Sequence, residues 1–303
     1  MSNNIIKKKI SSLDLNDYIK SLILLMKPRV MSLVIFTCAV GLLTSNSNTN
    51  ITDAMIGITL VALGAGAAGC LNMWYEADLD ALMTRTCLRP IPTGKINKKQ
   101  ALVFGIFLTV FSVSTLNYFA NTLSAMLLLF TILFYLFVYT IWLKRITPQN
   151  IVIGGVAGSL PPVIGWTIAT NSISLASISL FLIIFLWTPS HFWALSLYKA
   201  DDYKKAKIPM MPLTNGIEKT KIYIFIYSLL MLPVIILPYA INFSGLVYLI
   251  PAMMLTIYYN FMCYDLYKHK KNKFVLKKAK KVFGYSILYL FLIFVLFLID
   301  NLI

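Results

Sequence analysis

The feature that leaves fewest folds open is a series of nine apolar stretches, each near the ~20 residues a helix needs to cross a bilayer. They cover residues 28–45, 53–75, 101–119, 123–143, 150–169, 174–198, 220–241, 244–265 and 281–300. In hydrocarbon every backbone amide must be paired within its own segment or around a closed barrel. None of these stretches shows the period of two that a barrel strand requires, so helices are predicted. Only 13% of the 303 residues are charged and the mean hydropathy is +0.78, the composition of a polytopic membrane protein. The expected fold is all-α: a nine-transmembrane-helix bundle forming one integral-membrane domain, with residues 1–27 as a basic leader.

The basic residues test that count. The leader through Arg29 holds six Lys/Arg, and the connections after the second, fourth, sixth and eighth spans hold five, two, six and eight, counting Lys221 and Lys281 at the starts of the next spans; the other connections hold none. A wrong number of spans would scramble this alternation. By the positive-inside rule it predicts a cytoplasmic N-terminus and an outer C-terminus. The net charge of +16 then belongs to one membrane face, where anionic lipid headgroups are sufficient partners and no nucleic acid is needed. The leader has no cleavage pattern, carries Asp14 and Asp17, and lacks arginine before Arg29, so neither a secretory signal nor a mitochondrial transit peptide is read there. A bacterial cytoplasmic membrane is expected. Cys38, Cys70, Cys87 and Cys263 lack metal-ligand spacing and read as small hydrophobes.

Nine of the eleven Asp and Glu lie on the basic side, and five of them form two clusters: Glu76, Asp78 and Asp80, then Asp201 and Asp202. If the second helix runs on, Asn72, Glu76 and Asp80 stand at i, i+4 and i+8 on one face, with Asp78 nearly opposite. Hard oxygen donors of this kind suit Mg²⁺, which commonly leaves positions for substrate phosphate. Arg85 and Arg89 follow one and two turns on, as guanidinium forks for a diphosphate. The alternative is solvated loop charge, but carboxylates beside apolar spans are costly and commonly functional.

Four stretches carry a family resemblance: N-x-x-x-E-x-x-x-D-x-x-x-x-R-x-x-x-R-P-x-P-x-G over 72–94, KPRVMSL over 27–33, YTIWLKRITPQNIVIGGVAGSLPPVIGW over 139–166 and WTPSHFWALSLYKADDYKKAKIPMMPLTNG over 187–216. In this order they resemble the UbiA-type intramembrane prenyltransferases, and within them the branch that farnesylates haem. The resemblance implies nine helices around a central cavity that opens to lipid and is capped on the cytoplasmic side by the two acidic loops. It also implies transfer of farnesyl from farnesyl diphosphate to a vinyl group of haem B, with addition of water, giving haem O for respiratory oxidases. Two departures stand out. Glu76 takes a place where the family usually has Asp. The adjacent pair Asp201–Asp202 replaces the D-x-x-x-D spacing of the wider family, a D-D-Y form that favours the haem branch but leaves open which acid meets the metal.

On this reading Asn72, Glu76, Asp80, Asp201 and Asp202 are the candidate Mg²⁺ ligands. Arg85, Arg89, Lys144 and Arg145 are candidate diphosphate contacts, with Lys27 and Arg29 as lesser ones; for Lys27, Arg29, Lys144 and Arg145 a purely topological role stays open. Tyr203 and Lys207 share a face near the same diphosphate if their helix holds. Lys98, Lys99 and the cluster from Lys268 to Lys281 read as orientation signals or lipid contacts. Trp74, Tyr75, Tyr139, Trp142, Trp166 and Trp187 are candidates for an aromatic surround of an allylic cation, or interfacial anchors. The farnesyl chain belongs in hydrocarbon, at ~0.8 kcal/mol for each buried methylene. His191 is the one histidine inside a span, either an axial ligand for haem iron or a polar side chain bonded within the bundle. Pro189 is expected to kink its helix. Gly154, Ala157 and Gly158 are read as packing contacts, and Pro161 and Pro162 as a helix break.

The rival enzyme is a UbiA-type transferase acting on a quinone precursor or another aromatic acceptor. A rival of another class is a secondary transporter, against which stand the lack of an internal repeat and of any acid near a span centre. Partners implied are membrane lipid, an isoprenyl diphosphate, haem B and the enzyme that converts haem O to haem A.

Overall fold

The computed structural model describes residues 14–45, 47 and 49–303, and every regular element among them is helical. Lys7, Lys8 and Lys9 of the expected leader lie outside the described residues. In chain order the elements are α1 (Leu15–Leu25), α2 (Pro28–Leu43), α3 (Ile51–Tyr75), α4 (Ala77–Leu82), α5 (Lys98–Phe119), α6 (Thr122–Arg145), α7 (Asn150–Ser159), α8 (Pro161–Thr170), α9 (Leu175–Tyr198), α10 (Ala200–Lys205), α11 (Met211–Thr214), α12 (Ile217–Ala240), α13 (Leu246–Lys268) and α14 (Asn272–Asn301). Eight helical runs are long and apolar enough to cross a membrane, α7 and α8 together making one of them. The ninth is α2, whose 16 residues rise only about 24 Å. It is preceded by α1 across a 52° bend.

The leader is therefore not plain loop up to Arg29. Its described part forms α1, which buries Ser21 and Leu25 and leaves Leu15, Ile19, Ile23 and Leu24 exposed. The bend falls at Lys27, whose backbone takes the left-handed region at φ 56°, and Pro28 then opens α2 with the φ a first helical turn needs. Elsewhere the helix starts follow their sequence signals: Asn97 with Gln100 and Ser174 with Ser177 form reciprocal capping boxes at the starts of α5 and α9.

Helices α3, α7, α8 and α9 are mostly buried, while α5, α6, α12 and α13 turn much of their surface outward. Small residues let the inner helices close up. A Cβ on Gly41 of α2 would lie 2.0 Å from the carbonyl oxygen of Pro162, and one on Gly165 of α8 would lie 1.9 Å from that of Cys38, so α2 and α8 meet backbone to backbone. One smaller expectation fails. A Cβ on Gly158 would have nothing within 4 Å, so this glycine packs against no neighbour, whereas Gly154 sits against the Tyr139 ring. Pro189 lies inside α9, which is helical throughout, and the break expected at Pro161 and Pro162 falls at Leu160, just before them.

Candidate active site

The first acidic segment keeps its helical face across a break between two helices. α3 stops at Tyr75 and α4 restarts at Ala77, yet Glu76 N donates to Asn72 O (2.9 Å) and Asp80 N to Glu76 O (2.8 Å). Asn72, Glu76 and Asp80 are accordingly all buried, and Asp78 points out. Each inward side chain meets a cation. Lys144 Nζ lies 2.5 and 2.6 Å from the two Glu76 oxygens, and Arg89 Nη1 lies 2.8 Å from both Asp80 oxygens. Lys27 Nζ donates to Asn72 Oδ1 at 2.5 Å. The extra methylene of Glu76 is thus taken up by reaching Lys144, and the carboxylate stays inside.

Asn72 is aimed by a residue that sequence reading missed. Its amide donates to Thr140 Oγ1 (3.0 Å), which in turn donates to Tyr135 O (2.8 Å) five residues back. That i to i−5 reach belongs to a π-helical stretch, Phe134–Trp142 in α6, the kind of local widening often found at functional sites. It also stacks Tyr135 on Tyr139 at 5.2 Å and places them under Lys27 (6.0 Å) and Lys144 (5.6 Å). Tyr135 was likewise missed, although its i, i+4 relation to Tyr139 is visible in the sequence.

The second acidic segment joins the first through Thr84. Its hydroxyl donates to Asp202 Oδ1 at 2.6 Å, across 118 residues of chain. That bond, ahead of desolvation, which opposes it, holds the Asp202 carboxyl below the usual carboxylate range. Asp202 Oδ2 is buried without a hydrogen-bond partner among the described residues, while Asp201 is exposed. The two neighbours thus differ in placement: Asp202 is buried and bonded to the first segment, and Asp201 is exposed.

The other candidates lie away from these buried side chains or at their rim. Arg145 pairs with exposed Asp78 at 3.1 Å and lies 5.2 Å over the Tyr75 ring. Arg29 is exposed at the start of α2. α10 ends at Lys205 and Lys207 turns left-handed at φ 52°, so Tyr203 is buried, Lys207 exposed, and the expected shared face does not form. Arg85 is exposed and makes no ion pair among the described residues, although its charge reaches Tyr139 and Tyr198. Trp142 is 59% exposed on the outer surface and Trp166 packs on Phe243 at the far end of the bundle, so neither lines this site. Trp187 instead stacks on His191, which is buried in α9.

Buried acids at the ends of a helical membrane bundle, drawn from two segments far apart in sequence and paired with cations in the first, define a class: the chain belongs to the UbiA prenyltransferase family, which its residues 33–287 match. Among relatives, it is 77% identical over 277 residues, 91% of each chain, to the protoheme IX farnesyltransferase of Pelagibacter ubique (strain HTCC1062). It is 52% identical to protoheme IX farnesyltransferase 2 of Mesorhizobium japonicum (strain LMG 29417 / CECT 9101 / MAFF 303099), covering 91% of this chain and 88% of that one. Among solved structures it superposes on a digeranylgeranylglyceryl phosphate synthase with a TM-score of 0.78 at 19% identity, covering 94% and 99% of the two chains. It also superposes on a UbiA homolog from Archaeoglobus fulgidus bound to GPP and Mg²⁺, with a TM-score of 0.63 at 16% identity and coverage of 91% and 99%. At those identities the likeness is one of fold.

Proposed function

We propose that this chain transfers a farnesyl group from farnesyl diphosphate to a vinyl group of haem B, with addition of water, forming haem O. The observation that carries a diphosphate site is the Thr84–Asp202 bond, which brings a second buried carboxylate to the segment holding Glu76 and Asp80. The acceptor follows from the relatives at 77% and 52% identity.

A divalent cation fits this donor set. Asp202 Oδ2 is a buried carboxylate oxygen with no hydrogen-bond partner among the described residues, and Glu76, Asp80 and Asn72 offer further hard oxygens. Among the described residues no three His, Cys, Asp or Glu side chains already converge, and Lys144 and Arg89 pair with the first-segment carboxylates. Asn72, Glu76, Asp80 and Asp202 would hold Mg²⁺, with Asp201 outside the set. When bound, the ion supplies positive charge against the negative charge gathering on the leaving diphosphate. Lys144, Arg89 and Lys27 then have diphosphate oxygens to turn to, and Arg85 adds a fourth cation at the rim. Arg29, Arg145 and Lys207 act in orientation and at the membrane surface.

In the reaction the C1–O bond of farnesyl diphosphate breaks and its electron pair leaves with the diphosphate. The vinyl π electrons of the acceptor form the new C–C bond. Water adds to the vinyl carbon next to the ring and loses one proton, so the product is a hydroxyethylfarnesyl porphyrin. Tyr135 and Tyr139, stacked beside Lys27 and Lys144, give the allylic cation π faces next to the diphosphate cations. His191 is the candidate haem contact. The site is placed at the inner face of a bacterial cytoplasmic membrane, with lipid as the reservoir for both substrates and the enzyme that converts haem O to haem A as recipient of the product.

The test is to incubate membranes containing the protein with haem B, farnesyl diphosphate and Mg²⁺ and to weigh the extracted haems. A farnesylated, hydrated haem is expected and chelation should abolish it. A prenylated quinone precursor in a parallel tube, with haem unchanged, would overturn the assignment.

A further inference from the structure

His191 lies on α9 seven residues, about 10 Å of helix rise, from the Tyr198 end that leads to Asp202. Its ring is sandwiched between the Trp187 indole (4.2 Å between centroids, planes 21° apart) and the Phe283 ring of α14 (4.6 Å, 27°). Both faces are covered, so a ligand can approach only at the edge. One edge is taken: Nδ1 lies 2.7 Å from Ser286 Oγ, and Ser286 is itself tied to α9 because Trp187 Nε1 donates to its carbonyl at 2.9 Å. Nε2 has no hydrogen-bond partner among the described residues, in a side chain only 6% exposed.

The Ser286 hydroxyl decides where the imidazole proton sits. It lies 2.7 Å from Phe283 O as well as from Nδ1, and it has one hydrogen to give. If that hydrogen goes to the carbonyl, the hydroxyl oxygen accepts from Nδ1–H and both hydrogens are bonded. If it goes to Nδ1, the proton moves to Nε2 and finds no acceptor in an apolar bundle. The first arrangement makes two hydrogen bonds and the second makes one with a stranded donor, which favours the first. Nε2 is then a bare lone pair directed away from the ring.

We propose that Ser286 is a positioning residue that holds His191 as its Nδ1–H tautomer, so that Nε2 ligates the iron of the haem acceptor. This rests on the reading of haem B as acceptor. Histidines that bind metal characteristically donate their other ring N–H to such a partner, and imidazole is a common haem ligand. Ligation at this depth holds the macrocycle within the bundle on the same helix that carries the second acidic segment at its end.

The experiment uses the full-length protein in lipid nanodiscs titrated with ferric haem B, followed by absorption spectra and, after reduction, by the iron–histidine stretch in resonance Raman. The wild type should bind haem saturably with that stretch present. His191→Phe, which keeps an aromatic between Trp187 and Phe283, should lose the stretch while retaining farnesyl diphosphate binding. Ser286→Ala should weaken haem binding by about 10- to 100-fold and shift the stretch, and Ser286→Thr should restore both. A wild-type spectrum unchanged in His191→Phe, or an unchanged affinity and stretch in Ser286→Ala, overturns the proposal. If the wild type makes farnesylated haem without any His191-dependent signal, this inference falls and the proposed reaction stands. If the signal is present but no farnesylated haem forms, ligation stands and the reaction falls.

Discussion

Single side chains around the two acidic segments differ in which way they face, and that difference predicts their weight. Asp80→Ala and Asp202→Asn remove buried carboxylates and should each lower prenyl transfer by about 100-fold or more, the scale of losing one electrostatic group at a transition state. Asp78→Ala and Asp201→Asn alter exposed neighbours and should stay within a few-fold. Equal losses in both pairs, read as turnover at matched membrane levels, would contradict the inward face. Thr84 gives a pH prediction. Its hydroxyl holds the Asp202 carboxyl low, so the charged form persists as pH falls and is lost only below the ordinary carboxylate range. Thr84→Val removes the donor, raises that pKa, and should move the acid limb of the pH–rate profile upward, with little change at neutral pH. The acids and Lys144 were legible from the sequence because charge in so apolar a chain is rare. Thr84, Thr140 and Ser286 were not, since a hydroxyl costs little in a helix and its partner lies far along the chain, 118 residues away for Thr84.

At the level of elements, helix packing separates glycines that look alike in sequence. Gly41→Ala drives a methyl into the backbone carbonyl of Pro162, which cannot rotate away, and should destabilise the protein by about 1–3 kcal/mol. Gly154→Ala meets the Tyr139 ring at 2.2 Å, so it should disturb the aromatic pair and lower turnover more than it lowers thermal stability. Gly158→Ala meets nothing and should be neutral or slightly stabilising, by the helix propensity that alanine adds. Thermal unfolding in detergent and turnover, measured on the three variants together, check the ordering. The helices themselves were readable from apolar run length, with ends mostly within a few residues. The π-helical stretch in α6 was not, because widening one turn leaves no mark in composition or periodicity. The failure of the Tyr203–Lys207 face has a similar origin: the chain leaves the helix at Ala206, and i, i+4 spacing has meaning only while a helix lasts.

Over the whole molecule, the alternation of basic and uncharged connections agrees with a bundle of eight long helical runs plus the bent α1–α2 pair. Burial of apolar surface cannot set which end faces the cytoplasm, since both ends of a span are equally greasy; the lysines and arginines break that symmetry. All of the acids in the candidate site lie at the same ends as the basic connections, so orientation also decides which compartment supplies the divalent cation. Single cysteines introduced after the four native ones are replaced read that orientation. One placed at Ser244, between α12 and α13, should react with a membrane-impermeant maleimide added outside intact cells. One placed at Thr93, between α4 and α5, should react only after the cells are opened. The opposite pattern would put the diphosphate site on the outer face. A third, at Asp14 ahead of α1, is separated from Thr93 by two crossings if α2 completes one, and should then behave as Thr93 does. Labelling at Asp14 but not at Thr93 in intact cells would mean that α1 and α2 do not together complete a crossing, leaving an even number of spans.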